Sequence, residues 1–354
     1  MIILLLIIIM GNKPSSNIDE IKSFLNKYNS HTKKILPKDE NDKVKALINI
    51  ISSGEREEII EWCRQKKGKY LSLLALLVNT HNDKNSDFIF KIFLTGANEG
   101  DFESIDYIVD AYEKGNGTEI NYGEMVNFLL KGVALKNPKS IVQLGKIYQH
   151  GKYGLDKNCL KAMELYGIAA DLGNAEAAYY LAKLYERGTT KIKKSLSDAI
   201  KNFKKAYELG IIQAGNELGY IYLYGYSVTS DLTKARKYFE DVLIRSPDNI
   251  DTLCGLSMYY SKMNVKEEIK LLNKLIDLGY AKAAEPLISM YKNGVNTEGL
   301  AIEIDTVEAF KIAEKGHRLK DSYSTFYLGE AYLFGHGTEK NIKKGQEILN
   351  ILII

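Results

Sequence analysis

From about Asp101 onward, apolar and polar positions recur with helical spacing, and they do so in matching blocks along the chain. The shared segment has the form L-G-x-x-Y-x-x-G and returns about every 36 or 37 residues. It reads LGKIYQHG from Leu144, LAKLYERG from Leu181, LGYIYLYG from Leu218 and LGEAYLFG from Leu328, with weaker copies at Ile108, Leu256 and Leu287. Leu and Tyr four apart fall on one helical face. Each copy therefore predicts an amphipathic helix, stopped by a glycine that accepts the left-handed cap conformation. The motif tyrosines are Tyr112, Tyr148, Tyr185, Tyr222, Tyr260, Tyr291 and Tyr332.

A second apolar-periodic segment precedes each motif. Its first inward position is Ile89, Met125, Ala162, Ala199, Ala235, Glu268 or Ala309, of which only Glu268 departs from a small or apolar type. Four positions later stands a bulky residue: Phe93, Leu129, Tyr166, Phe203, Phe239 or Leu272. From that start to the next motif tyrosine the count is 23 residues in six cases and 25 in one. From a tyrosine to the following start it drifts between 8 and 18. The unit is thus a helix pair with one fixed and one variable connection. The residue after the motif Leu is small in Gly145, Ala182, Gly219, Ser257 and Gly329, which predicts close helix approach. One pair alone cannot bury its apolar stripe, so neighbouring pairs must stack. No segment reads as a convincing strand.

These spaced positions resemble the Sel-1-like repeat family, relatives of the tetratricopeptide repeat. The resemblance covers about Asp101 to Glu347 and reaches back to about Tyr70, where FIFKIFLTGANEGDFES supplies a second helix. It implies an all-α, right-handed superhelical solenoid of antiparallel helix pairs, with about eight repeats over residues 70–354. One copy, IRSPDNIDTLCGL from Ile244, is closer to the tetratricopeptide form, with Ser246-Pro247 in place of glycine. Met263 stands where a capping glycine belongs, the loop after it is short, and Val295 to Thr306 forms a long one. Members of the family generally assemble other proteins. The resemblance therefore implies a non-catalytic scaffold or adaptor that binds a protein or peptide on a concave face. A hydrolase of the β-lactam or amide type, described for some members, is the alternative.

Composition narrows this only a little. With 48 basic and 45 acidic residues the formal charge is +3, which makes no global case for nucleic acid. Cys63, Cys159 and Cys254 are scattered and lack a close pair, against a zinc site or a disulfide framework. Other family members staple their repeats with cysteines; this chain does not, which favours a reducing, cytoplasmic place. The ends complicate that reading. MIILLLIIIM is too short to span a bilayer, and three readings stand. It is a mis-assigned start, a signal or anchor, or the prelude to a start at Met10 that leaves Gly11 for acylation. A membrane-tethered scaffold follows from the second or third. Residues 1–40 read as this run plus a linker, and 41–69 as a helical cap carrying Trp62. The last helix is very apolar, and either tucks back or pairs with another chain.

Candidate chemistry is sparse. The five histidines never fall into a metal-ligand spacing, and no phosphate-binding glycine loop appears, so no cofactor is implied. Ser30-His-Thr-Lys33 spells S-x-x-K, but neither S-D-N nor K-T-G follows it. The better candidates lie on the surface. Tyr220 and Tyr224 occupy slots that hold Lys146, Lys183 or Arg187 in other copies, and Tyr180 and Tyr327 share another slot. Exposed tyrosines make good partner anchors, with large area and an orienting hydroxyl. A basic cluster, Lys183 to Lys205, could dock an acidic segment or a membrane surface, or simply be solvated.

Overall fold

A computed structural model describes residues 86–226, 229–297 and 300–352. These fall into two compact units. One runs to Ala177 and includes Thr189–Ile192; the other comprises Ala178–Gly188 and the chain from Lys193 on. The first unit holds α1 (Ser86–Glu99), α2 (Phe102–Lys114), α3 (Tyr122–Ala134), α4 (Pro138–His150) and α5 (Cys159–Asp171), each packed on the next. Helix α6 (Ala175–Arg187) begins in the first unit, and its residues from Ala178 belong to the second. The second unit continues with α7 (Leu196–Glu208), α8 (Ile212–Tyr224), α9 (Leu232–Arg245), α10 (Ile250–Tyr260) and α11 (Val265–Asp277). After a short 3-10 turn at Ala281–Ala283 come α12 (Ala284–Asn293), α13 (Thr306–Arg318), α14 (Ser322–Phe334) and α15 (Ile342–Asn350).

The odd-numbered helices are the second helices of the sequence pattern, and their inward slots are the core. Ile89, Met125, Ala162, Ala199, Ala235 and Ala309 are all buried, as are Phe93, Leu129, Tyr166, Phe203, Phe239 and Leu272. Glu268 is buried with them, although its side chain is an acid. At the small residue after the motif Leu the neighbouring helix does approach closely, and in two copies it brings its bulky ring there. A Cβ on Gly145 would lie 2.6 Å from the Tyr166 ring, and one on Gly219 would lie 2.5 Å from Phe239. Phe239 is gripped from the other side by Gly255, where a Cβ would approach to 2.4 Å. The motif tyrosines are less deeply placed than the pattern suggests: Tyr222 and Tyr332 are buried, and the other five are partly exposed.

The two kinds of connection differ in hydrogen bonding. The fixed connection, from a second helix to the next first helix, is a Schellman-type turn. Amide donors of Asn137, Asn174, Ile211 and Asp321 reach Gly132, Ala169, Ala206 and Gly316, at 2.8 to 3.0 Å. The residue before each donor is left-handed, and it is Gly173 or Gly210 in two of these turns but Lys136 or Lys320 in the others. Ser246 ends α9 without that turn, in keeping with the tetratricopeptide-like reading of this copy.

The variable connection is closed by one recurrent bond. The carbonyl of every motif tyrosine accepts the amide of the residue capping the next second helix. The donors are Asn121, Asn158, Ser195, Asp231, Asn264, Asp305 and Asn341, at 2.7 to 2.9 Å. Each of those side chains in turn caps its helix by accepting an amide hydrogen bond. The loop thus begins and ends at the same place whatever its length. The long loop after α12 departs from the strand-free expectation: Val295–Thr297 (β1) and Leu300–Ile302 (β2) pair antiparallel, Asn296 opposite Ala301. Segments this short carry too little alternation for sequence periodicity to register.

Candidate functional site

Two first helices in succession, α8 and α10, pack against each other in the second unit and are locked by polar and aromatic contacts. The Thr252 hydroxyl donates to Asn216 Oδ1 at 2.6 Å, and Asn216 Nδ2 donates to Asn249 Oδ1 at 3.1 Å. Asn249 also caps α10 by accepting the Thr252 amide. These groups are largely shielded from water and satisfy one another, which fixes the register of the two helices. Beneath them Phe239 fills the space between Gly219 and Gly255.

Above that seam lies an aromatic row. Tyr220 stands edge-on to Phe239 at 5.3 Å and parallel to Tyr224 at 6.3 Å; Tyr226 lies 5.2 Å beyond. The Tyr220 hydroxyl donates to the Asp251 carbonyl at 2.9 Å, and the Tyr224 hydroxyl donates to Met258 Sδ at 3.0 Å. Burial, reinforced by nearby Cys254 and Asp251, pushes the Tyr220 hydroxyl well above its ordinary pKa. Tyr220 is therefore a half-buried support, whereas Tyr224 is 44% exposed, Tyr226 56% and Met258 45%. Tyr226 and Met258 were invisible to pattern reading, because one follows the capping glycine and the other fills a slot held by Lys in other copies.

The other expected residues are placed differently. Tyr327 is 2% exposed and belongs to the core, which corrects its expected outward position. Here the slot before the motif Leu meets the preceding first helix, and Lys292 of α12 lies 5.2 Å over the Tyr327 ring. In the first unit the same slot holds Tyr107, stacked on Phe93 at 3.8 Å. Tyr180 is half-buried, edge-on to Tyr179. Lys183 is a clamp rather than a free cation, paired with Glu186 at 2.6 Å and Glu217 at 3.0 Å, and placed 5.7 Å over Phe203. Lys146 pairs with Glu176 at 2.8 Å. Arg187 is exposed at the end of α6. The expected basic cluster is only partly free, since Lys183 is engaged and Lys205 also has a partner.

Among the described residues no group of His, Cys, Asp and Glu could hold a metal ion, and no helix is long and apolar enough to cross a membrane. Cys159 and Cys254 are free thiols, and burial pushes the Cys254 thiol upward, away from reactivity. Ser30, Gly11, Trp62 and the whole of residues 1–85 lie outside the described residues.

Stacked helix pairs with a repeated seam define an all-α helical-repeat solenoid. Residues 138–174, 175–211, 213–240 and 322–350 match the Sel1 repeat. The chain thus carries Sel1 repeats in four places. Among solved structures it is similar to a Sel1 repeat protein from Oxalobacter formigenes, at 18% identity and a TM-score of 0.63, over 86% of this chain and 88% of that one. It is also similar to c5321, a protective antigen of uropathogenic Escherichia coli with an SLR fold. That likeness has 18% identity and a TM-score of 0.61, over 89% of this chain and 68% of that one. No curated protein matches. At such identities the two structures speak for the fold; the repeat family itself points to a protein-interaction scaffold.

Proposed function

We propose that this chain is a non-catalytic scaffold that captures a protein or peptide partner on the side of α8 and α10 where Tyr224, Tyr226 and Met258 are exposed. One observation carries the reading: three large, accessible side chains are gathered at one place and held from below by a rigid seam. Aromatic anchors on a pre-organised base lose little freedom on binding, so their contact area is converted efficiently into affinity. Tyr220 supports the cluster through its hydroxyl bond to Asp251 and its ring contact with Phe239. Lys183 steadies the neighbouring rung by pairing with Glu217.

The test is direct. A photo-crosslinking phenylalanine analogue replaces Tyr224 in the intact chain, and the crosslinked partner is identified in native extract. Its affinity is then measured against the unmodified chain and against Tyr224→Ala with Tyr226→Ala. The expected outcome is weaker binding by about 2 kcal/mol or more, as for hot-spot aromatics, with an unchanged melting curve. Equal binding to both proteins would remove this surface from the function.

A further inference from the structure

The partner's chemistry can be narrowed, on the premise that this surface is the binding site. Charge is unevenly divided between the two helix layers of the second unit. Helices α8 and α10 contain no Lys or Arg, and their charged residues are Glu217 and Asp251. Helix α14 likewise contains no Lys or Arg and adds Glu330, while α12 holds Glu285 and Lys292. Two second helices lean the other way: α7 carries Lys201, Lys204 and Lys205 against Asp198 and Glu208, and α9 carries Lys234, Arg236, Lys237 and Arg245 against Glu240 and Asp241, while α11 is balanced. Asp251 is exposed and makes no ion pair among the described residues.

The exposed rings lack what others in the chain possess. Arg245 lies 4.4 Å over Tyr207, Lys161 4.4 Å over Tyr148 and Lys344 4.1 Å over Tyr332. No Lys or Arg among the described residues covers Tyr224 or Tyr226, although these rings are among the more exposed aromatics. The Tyr224 hydroxyl is committed to Met258 and the Tyr220 hydroxyl to Asp251, so what these two residues keep for a partner is ring surface, which is electron-rich on its faces. In the slots of Tyr220 and Tyr224 the preceding copy carries cations, Lys183 and Arg187 on α6; here two rings replace them.

We infer that the occupant is a basic segment of a partner protein, which lays an Arg or Lys side chain on Tyr224 and Tyr226 with Asp251 as its counter-charge. Arg suits the geometry better, because its planar guanidinium stacks on aromatic faces and sheds water more readily than an ammonium. Lys262 is exposed two residues beyond α10, the nearest cation in sequence to Met258, and is expected to oppose such an occupant.

The probes are an alternating Arg–Ala peptide and an alternating Glu–Ala peptide of equal length, titrated calorimetrically into the intact chain at low and high salt. The Arg–Ala peptide is expected to bind more tightly. Tyr224→Ala with Tyr226→Ala weakens it roughly three- to tenfold, Tyr224→Phe with Tyr226→Phe retains it, and Asp251→Asn weakens it while flattening the salt dependence. Lys262→Ala tightens it. Tighter binding of the Glu–Ala peptide, or Arg–Ala binding indifferent to the Tyr and Asp251 changes, overturns the inference. A crosslinked partner that needs Tyr224 while the Arg–Ala peptide fails to bind overturns the cationic occupant and leaves the scaffold reading standing. The converse pattern overturns the scaffold reading instead.

Discussion

The first inward slot of a second helix is Ala235 in α9 and Glu268 in α11, and both are buried. Everything around the slot is alike: a capping side chain four residues earlier, a bulky core residue four later, and the tyrosine carbonyl closing the loop behind. The difference teaches that position imposes burial and chemistry has to accommodate it. In α9 accommodation is cheap, since alanine loses little side-chain entropy and hides no charge. In α11 the carboxyl is held in a poorly solvated place, and its pKa is pushed up to about 7.

The largest break in this comparison comes from the shared scaffold. Phe239→Ala removes the ring between Gly219 and Gly255 and is expected to cost about 3 to 5 kcal/mol in chemical denaturation. Next is the slot itself. Glu268→Ala installs the residue found at Ala162, Ala199, Ala235 and Ala309, and is expected to stabilise the chain by about 2 kcal/mol at pH 8. The sign follows from proton binding. An unfolded Glu releases its proton near its ordinary pKa, while the folded chain keeps the Glu268 proton until about 7. Stability therefore falls as pH rises between those values and is flat above them, and the Ala variant loses that slope. Denaturation midpoints measured across pH 4 to 8, in about half-unit steps, check it.

A smaller gain is expected at the fixed connections. Lys136 and Lys320 adopt φ of 61° and 62°, where other copies use glycine. Lys136→Gly or Lys320→Gly should raise stability by about 0.5 to 1 kcal/mol, because relief of the left-handed strain exceeds the entropy that glycine adds to the unfolded chain. The smallest effect belongs to the exposed rings. Tyr224→Ala with Tyr226→Ala should change stability by no more than about 0.5 kcal/mol. A loss like that of Phe239→Ala would place these rings in the core.

Much of the fold was legible because a solenoid repeats its instructions. Leu, the small residue after it and the bulky residue of the second helix recur at fixed spacing, so both helices of each pair and a close approach at Gly219 could be read, while Phe239 as the group that fills it could not. The candidate surface was less legible. Tyr220 and Tyr224 lie four apart and read alike in sequence, yet one leans on Phe239 while the other reaches Met258. Tyr327 and Tyr180 share a slot, yet Tyr327 is covered by Lys292 of the preceding first helix. Helical period gives an angle around one axis; which neighbour occupies that angle depends on contacts between repeats. The hairpin of β1 and β2 escaped for another reason, since two runs of three residues have no detectable period.

A single main-chain clasp spans four residues between Tyr260 and Asn264 and fourteen between Tyr291 and Asp305. Such a joint makes one margin of the protein a natural place for evolution, or an engineer, to splice in new sequence. Ring closure costs little more for a longer insert, and the hinge on either side is already secured. New recognition elements could accordingly be added at Asp231 or Asn341 in the manner that β1 and β2 already occupy theirs, with the helical stack left to fold as before.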